Sequence, residues 1–251
     1  MHKLLLPTMV LFAVSTALTA APACTTQSLN SYISLGATGC DIGNFNFSHF
    51  DWLATVVAVN TTGGDPNSII VTAHDNGSAG PSLDFGLNWG TNLAILPALG
   101  NATLAFRVTS NDPVNYLLTS SFLHVDASGT GLLGTAIVTE TNCVGGLFTG
   151  NLCLLPGGLG TTGSVGLGGL INTGVGAQVA VAPFLAPVTT LDVLKTISIV
   201  SSGTPLTPST VHLNSITESF GAAAPEPSTW LLLSSSLALC FVKRLRIKTK
   251  A

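Results

Sequence analysis

Three histidine–aspartate neighbours raise the question of what chemistry this chain can do: His49 with Asp51, His74 with Asp75, and His124 with Asp126. Residues two apart on a strand share a face. His49 with Asp51, and His124 with Asp126, can therefore each offer two ligands to zinc or calcium. Nothing in the sequence brings two such pairs together, so surface or strand-edge positions are expected and no metal. GTGLLG at 129–134 satisfies G-x-G-x-x-G. A dinucleotide site needs a helix after it, whereas Thr135–Thr139 reads as a strand, so no cofactor is expected. A serine hydrolase would carry a G-x-S-x-G elbow, and none is present. A glycosidase needs two carboxylates at a set separation. The body's only glutamates are Glu140 and Glu218, and its ten acids are scattered. The chain therefore reads as non-enzymatic. Four aromatic residues, Trp52, Trp89, Tyr32 and Tyr116, are candidates for stacking on sugar rings. Trp52 and Trp89 also sit inside apolar runs, where they would serve a core.

The elements that must position these residues are short. Gly, Asn, Asp, Ser and Pro interrupt the chain about every 8 to 15 residues, and runs rich in Val, Ile, Thr and Phe lie between. Candidate strands are 53–59, 68–73, 83–89, 103–110, 116–126, 133–139, 176–182, 188–201 and 210–220. Leu104, Phe106 and Val108 alternate with Thr103, Ala105 and Arg107, the period of a half-buried strand. Many short strands with turns between them predict a mainly β, antiparallel, jelly-roll-like sandwich. A short helix is expected over Thr26–Leu35. The glycine-rich stretch 129–176 reads as a long hairpin or loop with little order of its own. Cys24, Cys40, Cys143 and Cys153 make an even set, and Cys240 lies apart. Three pairings are possible; locality favours Cys24–Cys40 and Cys143–Cys153. The four thiolates contain no C-x-x-C, which argues against a metal cluster.

Charge is concentrated at the ends. Only 8% of the 251 residues are charged, against roughly 25% in an ordinary soluble domain. Between Cys24 and Ala224 ten acids face two bases, Arg107 and Lys195, so the body stands near −8 while the whole chain is −3. A body that acidic, without a basic stripe, excludes nucleic-acid binding.

The N-terminus has Lys3, an apolar run from Leu4 to Leu18, and Ala21-Pro22-Ala23 before Cys24. That order predicts a signal peptide over 1–23 and export. The C-terminus has Pro225-Glu226-Pro227, an apolar segment from Trp230 to Val242, then Lys243, Arg244, Arg246, Lys248 and Lys250. A single membrane helix is expected over about 229–242. The segment is short against the ~20 residues of a relaxed crossing, and the basic tail 243–250 would stay cytoplasmic.

This tripartite end resembles the PEP-CTERM sorting signal of bacteria that make exopolysaccharide. The resemblance implies that Pro225, Glu226 and Pro227 are read by an exosortase, a membrane processing enzyme, and it covers about the last 27 residues. The body, through CTTQSLNSYISLGATGC, VTETNC and LDVLKTISIV, resembles a group of such proteins whose ectodomains have no settled activity. That group often has Lys-Asp where this chain has Lys195-Thr196, and it offers no catalytic residues to carry over. Taken together, the resemblance implies a non-enzymatic surface or extracellular-matrix protein, membrane-anchored before processing and associated with exopolysaccharide. The alternative is a glycan- or calcium-binding module on the same scaffold, residues 24–224.

Overall fold

The structure, a computed structural model, describes residues 20–56, 61–62, 64–91, 98–130, 134–149, 152–154, 164–172, 175–201 and 209–223. Most of the expected signal peptide, the Pro225-Glu226-Pro227 motif, the membrane helix and the basic tail lie outside the described residues.

The chain begins with β1 (Gln27–Ser28), helix α1 (Leu29–Ser34), β2 (Cys40–Ile42), β3 (Phe45–Val56), β4 (Thr61–Thr62) and β5 (Ile70–Asp75). Then come β6 (Pro81–Thr91), β7 (Ala98–Ser110), β8 (Leu117–Thr130), β9 (Gly134–Val144), β10 (Leu147–Thr149) and β11 (Leu152–Leu154). The last four are β12 (Ser164–Asn172), β13 (Val175–Val188), β14 (Thr190–Ser201) and β15 (Thr210–Ala223). One large sheet runs β12-β9-β14-β7-β3-β2 and the other β1-β5-β6-β15-β8-β13, with β4 also on β6, and β10-β11 make a small third sheet; every strand pair among the described residues is antiparallel. The two faces meet as a sandwich, as the alternating pattern predicts. Phe106 of β7 lies at the centre. Its ring centroid is 6.4 Å from Phe47 and 5.4 Å from Phe50 in its own sheet, and 6.0 Å from Phe85 and 6.3 Å from Phe220 across the gap.

Helix α1 forms inside the expected span. The Ser28 hydroxyl caps it by accepting from the Ser31 amide at 3.2 Å, which satisfies one orphan donor of its first turn. The disulfides are Cys24–Cys40 and Cys143–Cys153, with Cα separations of 4.9 and 5.3 Å.

Two expectations need correction. The stretch 129–176 is not a loop of little order, because it supplies β9 and β12. These pair from Ser164↔Cys143 to Asn172↔Ala136, with an irregularity between Leu167 and Leu170 where two glycines fall. Backbone ladder bonds form there regardless of side chain, so glycine content alone hides a strand. The strand expected from Leu53 begins instead at Phe45. A bulge between Ser48 and Asp51 holds His49 at φ 55°. It reverses the inward phase: Phe45 and Phe47 are buried before it, and Phe50 after it, leaving Leu53 65% exposed.

Candidate functional site

The three histidine–aspartate neighbours lie on different strands, β3, β5 and β8. The bulge puts His49 in the left-handed region, so the same-face rule fails for His49 and Asp51. His49 instead stands near Arg107 and Asp192; partial burial and the Arg107 charge lower its pKa, with Asp192 opposing. His124 and Asp126 do share the outer face of β8, where Asp126 accepts from Asn214 Nδ2 at 3.1 Å. His74 and Asp75 close β5. No group of three or more metal-ligating side chains occurs among the described residues.

The aromatic candidates divide. Trp89 and Tyr32 are fully buried. The Tyr32 hydroxyl donates to the Thr25 carbonyl at 2.9 Å, and burial pushes its pKa up to about 12. Trp52 packs edge-on against Trp89 at 6.1 Å and donates to the Gly64 carbonyl at 2.8 Å. These three serve the core, as the apolar runs around Trp52 and Trp89 allow. Tyr116 is different: it lines a cleft.

That cleft, about 440 Å³, opens at one end of the sandwich between the two sheets. Ile42, Gly43, Asn44 and Phe45 from the β2–β3 turn form one wall; Asp75, Gly77, Pro81 and Ala222 form the other, with Tyr116 beside them. Its size falls within the ~300–1,000 Å³ of small-molecule sites. Tyr116 meets Phe45 edge-to-face at 6.5 Å. Its backbone is fixed: its amide donates to the Asp112 carbonyl at 2.8 Å, and its own carbonyl accepts from Ser110 Oγ at 2.6 Å. Asp75 is held by the Gly77 amide, which donates to its Oδ1 at 3.0 Å. Gly43, at φ 57°, passes so close that an added Cβ would lie 3.0 Å from the Asp75 carboxylate. The cleft is thus lined by an aromatic residue, Tyr116, an acid, Asp75, and Asn44, on backbone fixed by turns.

A second constellation lies inside. Glu140 of β9 and Lys195 of β14 are direct cross-strand partners. Glu218 of β15 and Ser121 of β8 reach them from the opposite sheet. Glu140, Lys195, Glu218, Ser121 and Asn142 are all fully buried. Lys195 Nζ donates to Oε2 of both glutamates. Oε1 of Glu140 accepts from Ser121 Oγ and from Asn142 Nδ2, each at 2.7 Å. Ser121 Oγ also lies 2.6 Å from Glu218 Oε1. A hydroxyl has one proton to give, so one of its two carboxyl contacts needs a proton from the acid. Glu218 is that acid: burial first, then the Glu140 charge, raise its pKa well above the ordinary carboxylate value. For Glu140 burial pushes up, but Lys195 and hydrogen bonds from Glu218, Lys195 and Ser121 prevail and hold it at about 2. One ammonium, one carboxylate and one neutral acid leave the cluster with no net charge, which is how a buried set avoids an unpaired ion.

These residues escape a reading of motifs because they are far apart in sequence. A signal was nevertheless present. Glu140 is in phase with Ala136 and Val138, Lys195 with Val193 and Ile197, and Glu218 with Ile216 and Phe220, all buried. The body's only two glutamates and one of its two bases therefore occupy core positions. The other base, Arg107, forks onto its cross-strand partner Asp192, with Nε–Oδ1 at 2.6 Å and Nη2–Oδ2 at 3.1 Å.

No protein-family model matches the chain, and no curated protein matches it in sequence. Among solved structures it is similar to TmCBM61, solved in complex with β-1,4-galactotriose, at 10% identity and a TM-score of 0.27, over 76% of this chain and 97% of that one. A carbohydrate-binding module of the β-sandwich superfamily aligns at 9% identity and a TM-score of 0.28, over 81% of this chain and 63% of the other. Endoglucanase 3 of Trichoderma harzianum, from family GH12, aligns at 14% identity and a TM-score of 0.23, over 68% of this chain and 97% of that one.

Proposed function

We propose that this chain is a non-enzymatic, exported β-sandwich that binds carbohydrate in the cleft at the end of the sandwich and works at the cell surface, in contact with exopolysaccharide. The observation that carries the reading is the cleft itself. The Tyr116 ring supplies an apolar face for sugar C–H groups, while Asp75 and Asn44 supply hydrogen-bond partners for hydroxyls. Such a mix of apolar wall and few fixed polar groups is what a small polar ligand requires. The non-enzymatic part is supported by the glutamates. A glycosidase needs its two carboxyls open to substrate, and Glu140 and Glu218 are both fully buried against Lys195. The address is supported by Lys3, the apolar run Leu4 to Leu18 and Ala21-Pro22-Ala23 at one end, and by Pro225-Glu226-Pro227, the apolar segment and the basic tail at the other.

The test is retention of the exported protein on exopolysaccharide purified from its native host. Tyr116→Ala and Asp75→Asn should each weaken retention at least tenfold, roughly 1.4 kcal/mol, measured at a temperature where both variants are fully folded. Leu53→Ser, on the exposed far part of β3, should bind as wild type does. Equal retention by wild type and both cleft variants would end this reading.

A further inference from the structure

We propose that Lys195 and Glu140 become joined by an amide bond inside the sandwich, and that Glu218 carries the protons for that reaction. The bond would be a modification site on its own, independent of carbohydrate binding.

The geometry comes first. Lys195 and Glu140 face each other across β14 and β9 in direct register, and Lys195 Nζ already contacts Oε2 of Glu140. Both are fully buried, so neither side chain can swing away into water. Reactants held in contact gain an effective concentration far above any in solution. Oε1 of Glu140 accepts from Ser121 Oγ and Asn142 Nδ2. Two fixed donors on one carboxyl oxygen polarise the carbon and stabilise the charge that builds on that oxygen under attack. Oε2 is left facing the amine, in the position of the departing oxygen. Glu218 touches Lys195 through its own Oε2 and reaches Ser121 through Oε1.

The step balances without any co-reactant. Lys195 passes one proton to Oε2 of Glu140, which gives a neutral amine beside a neutral acid and moves no proton to or from solvent. The amine lone pair forms the Nζ–Cδ bond. Glu218 takes a second proton from the nitrogen on Oε2, while its Oε1 proton passes through Ser121 to Oε1 of Glu140; the relay then runs back, and Glu218 Oε2 gives its proton to the departing Oε2 of Glu140. The Cδ–Oε2 bond breaks, water leaves, and Glu218 ends as it began. No atom is oxidised or reduced. The raised pKa of Glu218 fits a group that holds a proton ready for this exchange. The product keeps its partners: Ser121 and Asn142 still donate to the carbonyl, and the new N–H faces Glu218. It also replaces a buried ion pair, which is costly to desolvate, by a neutral amide.

Peptide mapping of the full-length exported protein by mass spectrometry decides the matter. The expected result is a branched peptide joining the Lys195 and Glu140 segments, lighter than their sum by one water. Lys195→Arg should abolish it. Glu218→Gln keeps both partners but lacks the proton carrier, so the branched peptide should form at least tenfold more slowly, the low end of losses in general acid–base catalysis. Linear Lys195 and Glu140 peptides in aged wild-type protein would overturn the proposal. So would a branch through Glu218, or a Glu218→Gln protein linked as fast as wild type. If either variant fails to fold, the wild-type map alone is sufficient.

Discussion

Glu218 shows what a single buried residue can impose on the molecule. Its folded pKa lies well above the 4.5 of an ordinary glutamate, so the folded chain holds a proton that the unfolded chain releases above that pH. Its contribution to stability is therefore fully present below about pH 4.5 and is lost as pH rises toward the folded value. The slope for one proton is about 1.4 kcal/mol per pH unit. Burial is the largest cause of the shift, so the effect persists whether or not Lys195 and Glu140 are joined. Glu218→Gln retains the shape and removes the titration. Chemical denaturation of wild type and variant at a series of pH values above about 4.5 should show wild-type stability falling relative to the variant as pH rises. Taking the difference removes His49, whose lowered pKa acts in the opposite direction. Parallel curves would mean that Glu218 is ionised in the folded state.

At the scale of elements, turns and bulges decide which side chains reach the cleft and which the core. Gly80 precedes β6 at φ 91°, and an added Cβ would lie 1.9 Å from the Phe220 carbonyl. Both the backbone angle and the contact forbid a side chain there. Gly80→Ala should destabilise the protein by about 3 kcal/mol, read as a lower denaturation midpoint. It should also weaken carbohydrate retention, because Pro81 and Ala222 on either side line the cleft. Gly36, also at positive φ but with open space around its Cβ position, should cost only about 1 kcal/mol on the same change. Equal losses at the two sites would show that backbone angle alone matters. The small strands are stapled in a similar way: Cys153 of β11 ties the β10–β11 hairpin to Cys143 of β9.

For the whole molecule, the cleft and the chain's exit share one end. Ala222 lines the cleft and β15 closes at Ala223, two residues before Pro225. On the proposed sorting reading, the tethered protein would hold its cleft toward the membrane until the tail is processed. Glu226→Ala should then leave export intact and block processing, so that the longer form accumulates in the membrane fraction of the native host. Identical size and fractionation for wild type and Glu226→Ala would leave a plain anchor in place of a sorting signal.

The sequence by itself determined the local facts. Period-two alternation marked Leu104, Phe106 and Val108 as one buried face, cysteine spacing favoured the two local disulfides, and the helical spacing of Leu29, Tyr32 and Ile33 marked one short helix. These follow from neighbours a few positions apart, where geometry is set by the backbone. Only the tertiary structure decided which faces meet. The phase reversal at His49 requires the pairing of β3 with β7. The union of Glu140, Lys195, Glu218 and Ser121 requires β9 and β14 in one sheet to lie over β8 and β15 in the other. Their sequence separations run from 19 to 97 residues, and no local preference carries information over such distances. The same holds for the cleft. Tyr116, Asp75 and Ala222 come from three separate segments, brought to one end of the sandwich by antiparallel register rather than by any motif.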